Sequence, residues 1–154
     1  MGTTSFFEMT SPLGTLRLEG DEKEIFRLEF IKRRAPKASS GTPLLKKAGR
    51  QLEEYFKGKR LDFDLPLKPV GTPFQGVVWK ALTRIPCGET RSYKELASLA
   101  GSPKAFRAVG GANNKNPLPI FIPCHRVIGS DGKLVGYGGG LKIKKWLLSH
   151  EESL

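Results

Sequence analysis

Near its start the chain alternates apolar and polar residues with a period of two. Leu16 and Leu18 are interleaved with Thr15, Arg17 and Glu19, and Phe26, Leu28 and Phe30 with Arg27 and Glu29. Successive strand residues face opposite ways, so this spacing predicts half-buried antiparallel strands. Ser11-Pro12-Leu13-Gly14 and Gly20-Asp21-Glu22-Lys23 supply turns between them. After a basic loop, Lys32 to Gly41, the period becomes helical. Thr42 is placed to cap this helix, Pro43 suits its first position, Leu45, Ala48, Leu52 and Phe56 share an apolar face, and Gly58 ends it. The stretch Leu65 to Pro73 holds three prolines and a glycine and reads as a linker. The pattern therefore predicts an N-terminal α/β domain over 1–68, a small sheet with one covering helix, and a second domain over 69–154.

The second domain reads as mostly helical, which makes the fold class α+β. Phe74 to Arg84 carries Val77, Val78, Ala81 and Leu82 at helical spacing. Ser92-Tyr93-Lys94-Glu95 is a capping box, starting a helix with Tyr93, Leu96, Ala97, Leu99 and Ala100 on its inner side. Gly101 stops it, and Ser102 with Pro103 predicts an immediate second start. Two helices with so short a joint form a helix-turn-helix, in the manner of winged-helix DNA-binding domains. On the second helix Ala105, Phe106, Val109 and Ala112 are expected to face the core, while Arg107, Gly110, Gly111 and Asn114 face outward. Internal glycines cost about 1 kcal/mol each against alanine, so either something flat and anionic approaches closely or the glycines simply end the helix. Ile120-Phe121-Ile122 reads as strand-like, and a last helix is predicted from about Leu141 to Glu151 with Trp146 buried.

Charge sharpens this picture. The 154 residues carry a formal net charge of +11, with 14 basic against 10 acidic residues up to position 70 and 12 against 5 beyond it. Such a balance attracts polyanions, nucleic acid first, although general solubility accounts for the same excess. No run of apolar residues reaches the length of a membrane span, and the first ten residues lack the features of a secretory leader. A cytoplasmic location and at least one free thiol are expected from the two cysteines, Cys87 and Cys124, although a disulfide between them is allowed by the count. Cys87 is read as structural. With only two histidines and no Cys-x-x-Cys pair, no metal is expected.

Cys124 is followed by His125 and Arg126. A thiol with a pKa near roughly 8.5 needs a base or a positive field to react at neutral pH, and His125 with Arg126 offers both. A turn at Pro123 or a bridging water would connect cysteine and histidine, and Glu151 at the far end of the chain is a carboxylate able to fix the histidine tautomer. The competing reading is an inert buried cysteine.

The run Ile122-Pro123-Cys124-His125-Arg126-Val127-Ile128 resembles the active-site motif of the O6-alkylguanine-DNA alkyltransferase family. Gly88-Glu89 through Ser92-Tyr93, Arg107 to Ala112, Asn116-Pro117, Gly139-Gly140-Leu141 and Trp146-Leu147-Leu148 resemble that family in order and spacing as well. The resemblance is dense from about residue 71 onward and sparse before it. It implies direct-reversal DNA repair. The alkyl group of O6-alkylguanine, or of O4-alkylthymine, would be displaced onto Cys124 after base flipping, once per molecule, as in a methylated-DNA–protein-cysteine methyltransferase. It implies His125 as proton acceptor through a water, Glu151 as its orienting carboxylate, Asn116 as hinge and backbone staple, and Tyr93 as the group that turns out the nucleotide and donates to the guanine. It implies a DNA-contacting set of Arg107 (the wedge), Tyr93, Lys94, Ser102, Ala105, Ala108, Gly110, Gly111 and Ser130. The pocket would be shaped by Pro119, Val127, Tyr137 and Gly138, with the carbonyls of Cys124 and Val127 reading the guanine edge. No cofactor is implied, and the partner is double-stranded DNA carrying O6-alkylguanine, bound by a monomer with no membrane involved. A ribonuclease-H-like N-terminal unit is implied too.

Two other classes stand beside this one. A non-catalytic lesion-binding protein or damage-sensing regulator would lack the acceptor cysteine or need a further domain. A cysteine hydrolase would turn over repeatedly and ignore DNA.

Overall fold

In a computed structural model, residues 4–32, 34–39, 41–137 and 139–154 are described. The contacts divide the chain into two units, Met1–Val70 and Gly71–Leu154.

In the first unit three strands, β1 (Ser5–Ser11), β2 (Gly14–Gly20) and β3 (Ile25–Ile31), form an antiparallel meander in the order β1-β2-β3. Leu16 pairs with Phe30 and Leu18 with Leu28, so the period-two pattern sets the register. An irregularity at Glu19/Gly20 then shifts β3, and Ile25 rather than Phe26 takes the fully buried place. Helix α1 (Pro43–Phe56) starts as its sequence dictates: the Thr42 hydroxyl accepts from the Leu45 amide. It ends in a Schellman turn at Gly58 (φ +76°), with Lys59 N–H donating to Glu54 and Gly58 N–H to Tyr55. Its buried face holds Leu45, Ala48, Leu52 and Tyr55, whereas the expected Phe56 is only half-buried. Gly49 lets α1 close on β1, since a Cβ there would come within 2.7 Å of the Phe7 ring. The expected linker is shorter than its prolines suggested. Leu67 bridges β3 in parallel through Ile25, whose amide donates to Pro66 and whose carbonyl accepts from Lys68.

In the second unit α2 (Pro73–Leu82) begins inside the stretch expected to be linker, because Thr72 and Gln75 form a capping box. Its Trp79 is buried and donates from Nε1 to the Ala112 carbonyl at 2.8 Å. Strand β4 (Arg91–Ser92) pairs in parallel with β5 (Val127–Ile128). The capping box at Ser92 and Glu95 starts α3 (Tyr93–Leu99), which buries Leu96 and Ala97. Gly101 (φ +77°) closes α3 in a second Schellman turn, with Ser102 N–H donating to Ala97 and Gly101 N–H to Ser98. Ser102 donates its amide to the turn that ends α3, and the next helix does not take its cap there. Helix α4 (Phe106–Asn114) begins four residues later at Phe106, with Ala105 at its N-cap and no side-chain cap. Phe106 is exposed, stacked beneath Lys94, and Asn113 takes an inward place.

The segment Ile120–Ile122 is not a strand. It is a tight turn in which Ile120 has φ +73° and Pro119 bridges Ile122, so the prolines dominate over the β-branched residues. Cys124–Arg126 then form a short 3-10 turn, and α5 (Leu141–Glu152) completes the unit. No helix among the described residues is long and apolar enough to cross a membrane.

Candidate active site

Pro123 delivers Cys124 into the 3-10 turn, which is what lets neighbours in sequence avoid the opposite faces of a strand. Cys124, His125 and Arg126 are all buried. Asn116 braces the approach: its Nδ2 donates to the Ile122 carbonyl at 2.7 Å and its Oδ1 accepts from Leu118 N–H at 2.9 Å.

Helix α5 buries Lys144, Leu147 and Glu151 on one stripe. The Glu151 carboxylate meets His125 Nε2 at 2.8 Å, and Arg126 clamps it with Nε at 2.8 Å and Nη2 at 2.9 Å. Arg126 also donates to the Ile85 carbonyl at 2.6 Å. The hydrogen bonds and charges of His125 and Arg126 outweigh burial and hold the Glu151 carboxyl well below the usual range. An ionised Glu151 can only accept, so the His125 proton sits on Nε2. Nδ1 is left as a bare, buried acceptor with no hydrogen bond among the described residues. Burial lowers the His125 pKa, keeping the ring neutral at physiological pH. Burial also pushes the Cys124 thiol up, to about 11, against the lowering effects of Asn116 and Lys144. At rest the site is thus a neutral thiol with a neutral imidazole base beside it in the chain.

Arg126 was expected to lend its charge to the thiol, but Glu151 takes it up. Lys144, which the sequence did not single out, is buried on the same helix and works against burial at the Cys124 thiol. Its spacing with Leu147 and Glu151, three and seven residues on, was the available signal.

Other expected residues line a groove of about 460 Å³: Tyr93, Lys94, Arg107, Gly110, Gly111 and Ser130. Ser102, Ala105 and Ala108 are not among its walls. Both glycines lie inside α4, which runs on to Asn114, so they do not end it. A Cβ on Gly111 would meet nothing within 4 Å, and one on Gly110 would only touch the Tyr93 ring at 3.4 Å. The bareness of this face is therefore not demanded by packing within the chain. Tyr93 belongs to both regions: it lines the groove, its charge state couples to Cys124, and its hydroxyl donates to the Val135 carbonyl at 2.9 Å. Pro119 is half-buried, Val127 is fully buried in β5, and Tyr137 is pushed well above its ordinary pKa by burial. Gly138 lies outside the described residues. Among the described residues no three His, Cys, Asp or Glu side chains gather as a metal site.

Comparison with known proteins gives the family. Residues 73–153 match the DNA-binding domain of 6-O-methylguanine DNA methyltransferase, and residues 8–69 match its ribonuclease-like domain. The chain belongs to this family. Relatives include a methylated-DNA–protein-cysteine methyltransferase of Methanosarcina barkeri, 53% identical over 93% of this chain and 94% of the relative. The constitutive methyltransferase of Bacillus subtilis is 49% identical over 92% of this chain and 91% of its own. The crystal structure of Mycobacterium tuberculosis O6-methylguanine methyltransferase superposes with a TM-score of 0.88 at 43% identity, covering 98% of this chain and 94% of that one. The same mycobacterial protein in complex with DNA matches at a TM-score of 0.88 and 45% identity, over 96% and 92% of the two chains. Like these methyltransferases, the chain joins a small sheet unit to a helical DNA-binding unit.

Proposed function

We propose that this methyltransferase-family chain repairs DNA by direct reversal, moving the alkyl group of O6-alkylguanine, and of O4-alkylthymine, onto its own Cys124. The observation that carries the reading is the buried, neutral Cys124 beside His125, whose proton Glu151 fixes on Nε2, within the unit that also bears the bare face of α4.

In the reaction Cys124 loses its proton to His125 Nδ1 through a water, and Sγ attacks the alkyl carbon. The S–C bond forms as the C–O6 bond breaks, and the electron pair returns to the guanine ring. The proton ends on guanine N1, so thiol plus O6-alkylguanine gives thioether plus guanine with nothing else consumed. Tyr93 donates to the departing base and helps turn out the nucleotide, since a stacked base cannot present its alkyl carbon to a sulfur. Arg107 fills the gap, and Gly110 and Gly111 with Ala108 let α4 lie against the groove. Lys94, Ser102, Ala105 and Ser130 contact the backbone. Pro119, Val127 and Tyr137 shape the pocket, with the carbonyls of Cys124 and Val127 reading the guanine edge. Asn116 staples the turn that presents the sulfur. The protein acts as a monomer on duplex DNA in the reducing cytoplasm.

Intact mass after incubation with methylated-guanine duplex is the test. One methyl per chain in wild type, and none in Cys124→Ala, supports the reading. Folded wild type of unchanged mass overturns it.

A further inference from the structure

Phe106 opens α4 with its side chain exposed, 39% of the residue being open to solvent, although helical spacing assigns it to the core. It lines the groove together with Tyr93, Lys94, Arg107, Gly110 and Gly111, and the Lys94 ammonium stands 6.0 Å from the centre of its ring. Val135, also exposed, adds a second apolar side chain to the same groove. A lone apolar residue on a convex surface is ordinary. An aromatic ring in a concave wall, beside Lys94 in space and Arg107 in sequence, is not: its apolar area stays in water until something flat covers it.

Helical geometry fixes what lies next to the ring. Gly110 follows Phe106 by one turn, and a Cβ on Gly110 would stand 3.4 Å from the Tyr93 ring. The wall therefore runs from the Phe106 ring across bare Gly110 to the ring of Tyr93. A nucleotide turned out at Tyr93 leaves its former stacking neighbour with an uncovered face beside this wall. Arg107 projects about 100° around the helix from Phe106, so the two side chains do not compete for one place. Arginine can fill a gap and pair with phosphate, whereas phenylalanine offers only a flat apolar face, which suits a base and not a phosphate.

We propose that Phe106 is a second DNA-contacting projection of α4, an apolar wedge whose ring packs on the base beside the turned-out nucleotide, next to the phosphate that Lys94 holds. Apolar wedges unstack base steps in this way in minor-groove proteins. The proposal rests on the reading of α4 as the helix that faces DNA. Salt dependence separates a wedge from a charge, because only a cation that displaces counterions changes the slope of log affinity against log salt. Phe106→Ala should bind a methylated-guanine duplex about tenfold more weakly at every salt concentration, with the wild-type slope. Phe106→Trp keeps a flat face and should stay within about threefold of wild type, while Lys94→Gln should make the slope shallower by about one. A 2-aminopurine beside the methylated guanine reports unstacking directly. Its fluorescence should rise on binding wild type and Phe106→Trp, and rise far less with Phe106→Ala. With its side chain exposed, Phe106→Ala should melt within about 2 °C of wild type, so the loss is not one of folding. Phe106→Ala that binds within about twofold of wild type, or that gives the full 2-aminopurine signal, overturns the proposal. Weaker binding with a shallower slope overturns it too, since the ring would then only have been holding Lys94 in place. A wild type that binds no duplex sinks the repair reading along with this one. A wild type that binds and takes up the methyl group, beside an unaltered Phe106→Ala, sinks this one alone.

Discussion

Glu151→Gln separates what the buried relay does for stability from what it does for chemistry. Glutamine keeps the shape but presents one acceptor oxygen and one donor amide where the carboxylate offers two acceptors to His125 and Arg126. Two outcomes compete, and both are damaging. If the amide faces Arg126, a buried guanidinium loses its counter-charge. If it faces His125, the ring must accept at Nε2 and its proton moves to Nδ1, removing the base. The Glu151 side chain is 1% exposed, so solvent screens little of the loss. Breaking a buried pair by removing one partner costs about 3–5 kcal/mol. Spread over a chain of this size, at roughly 2–4 °C per kcal/mol, that is a fall of order 10 °C in midpoint. The rate effect is set by tautomer, for which comparable relays lose up to about 10⁴-fold. Thermal unfolding measures the first quantity. Rapid-quench transfer from a methylated duplex, followed by intact mass below the variant's melting range, measures the second. A folded Glu151→Gln that melts within about 2 °C of wild type and transfers within threefold would refute the account of the relay.

Two further variants probe the rest of the molecule. Gly111→Gln removes a helix-interior glycine that touches nothing, so stability should rise by about 0.5–1 kcal/mol while duplex affinity drops at least tenfold, read by denaturant melts and fluorescence anisotropy. Equal affinity would show that α4 does not approach DNA through this face. Glu8, held at about 2 by Arg34 and Arg17 and the Lys37 amide, has a folded pKa below its unfolded one. Its stabilisation is complete above about 4.5 and is lost as pH falls toward 2, so Glu8→Gln should melt lower at pH 7 and lose less on acidification than wild type. Parallel pH curves would assign the acid sensitivity elsewhere.

Local chemistry was readable in the sequence, and long-range satisfaction was not. The capping box at Ser92 and Glu95 needs only its own four residues, and Thr42 with Pro43 is equally self-contained. Ser102 was misread for the converse reason. Helix α4 takes its N-cap at Ala105, three residues further on, so the Ser102 hydroxyl is not at the position from which it could accept from the first-turn amides. Phe106 carries an apolar side chain, so a wheel assigns it inward, yet with α4 starting at Phe106 its ring stays exposed beneath the Lys94 ammonium. Cys124, His125 and Glu151 were legible as chemical types, and their union depended on where α5 comes to rest. Lys144 was illegible because its partners are carbonyls, which every residue carries and no sequence distinguishes.

The depth of Cys124 also governs how long the molecule keeps its single equivalent of reactivity. Burial pushes the thiol up, so the sulfur rests protonated at neutral pH. Stray electrophiles and oxidants in the surrounding solution therefore meet an unreactive sulfur behind a nearly closed surface. For a protein that refreshes its active centre, such caution would only slow turnover. For one whose first bond to carbon is its last, dormancy until the correct base arrives decides what fraction of the population remains fit to act.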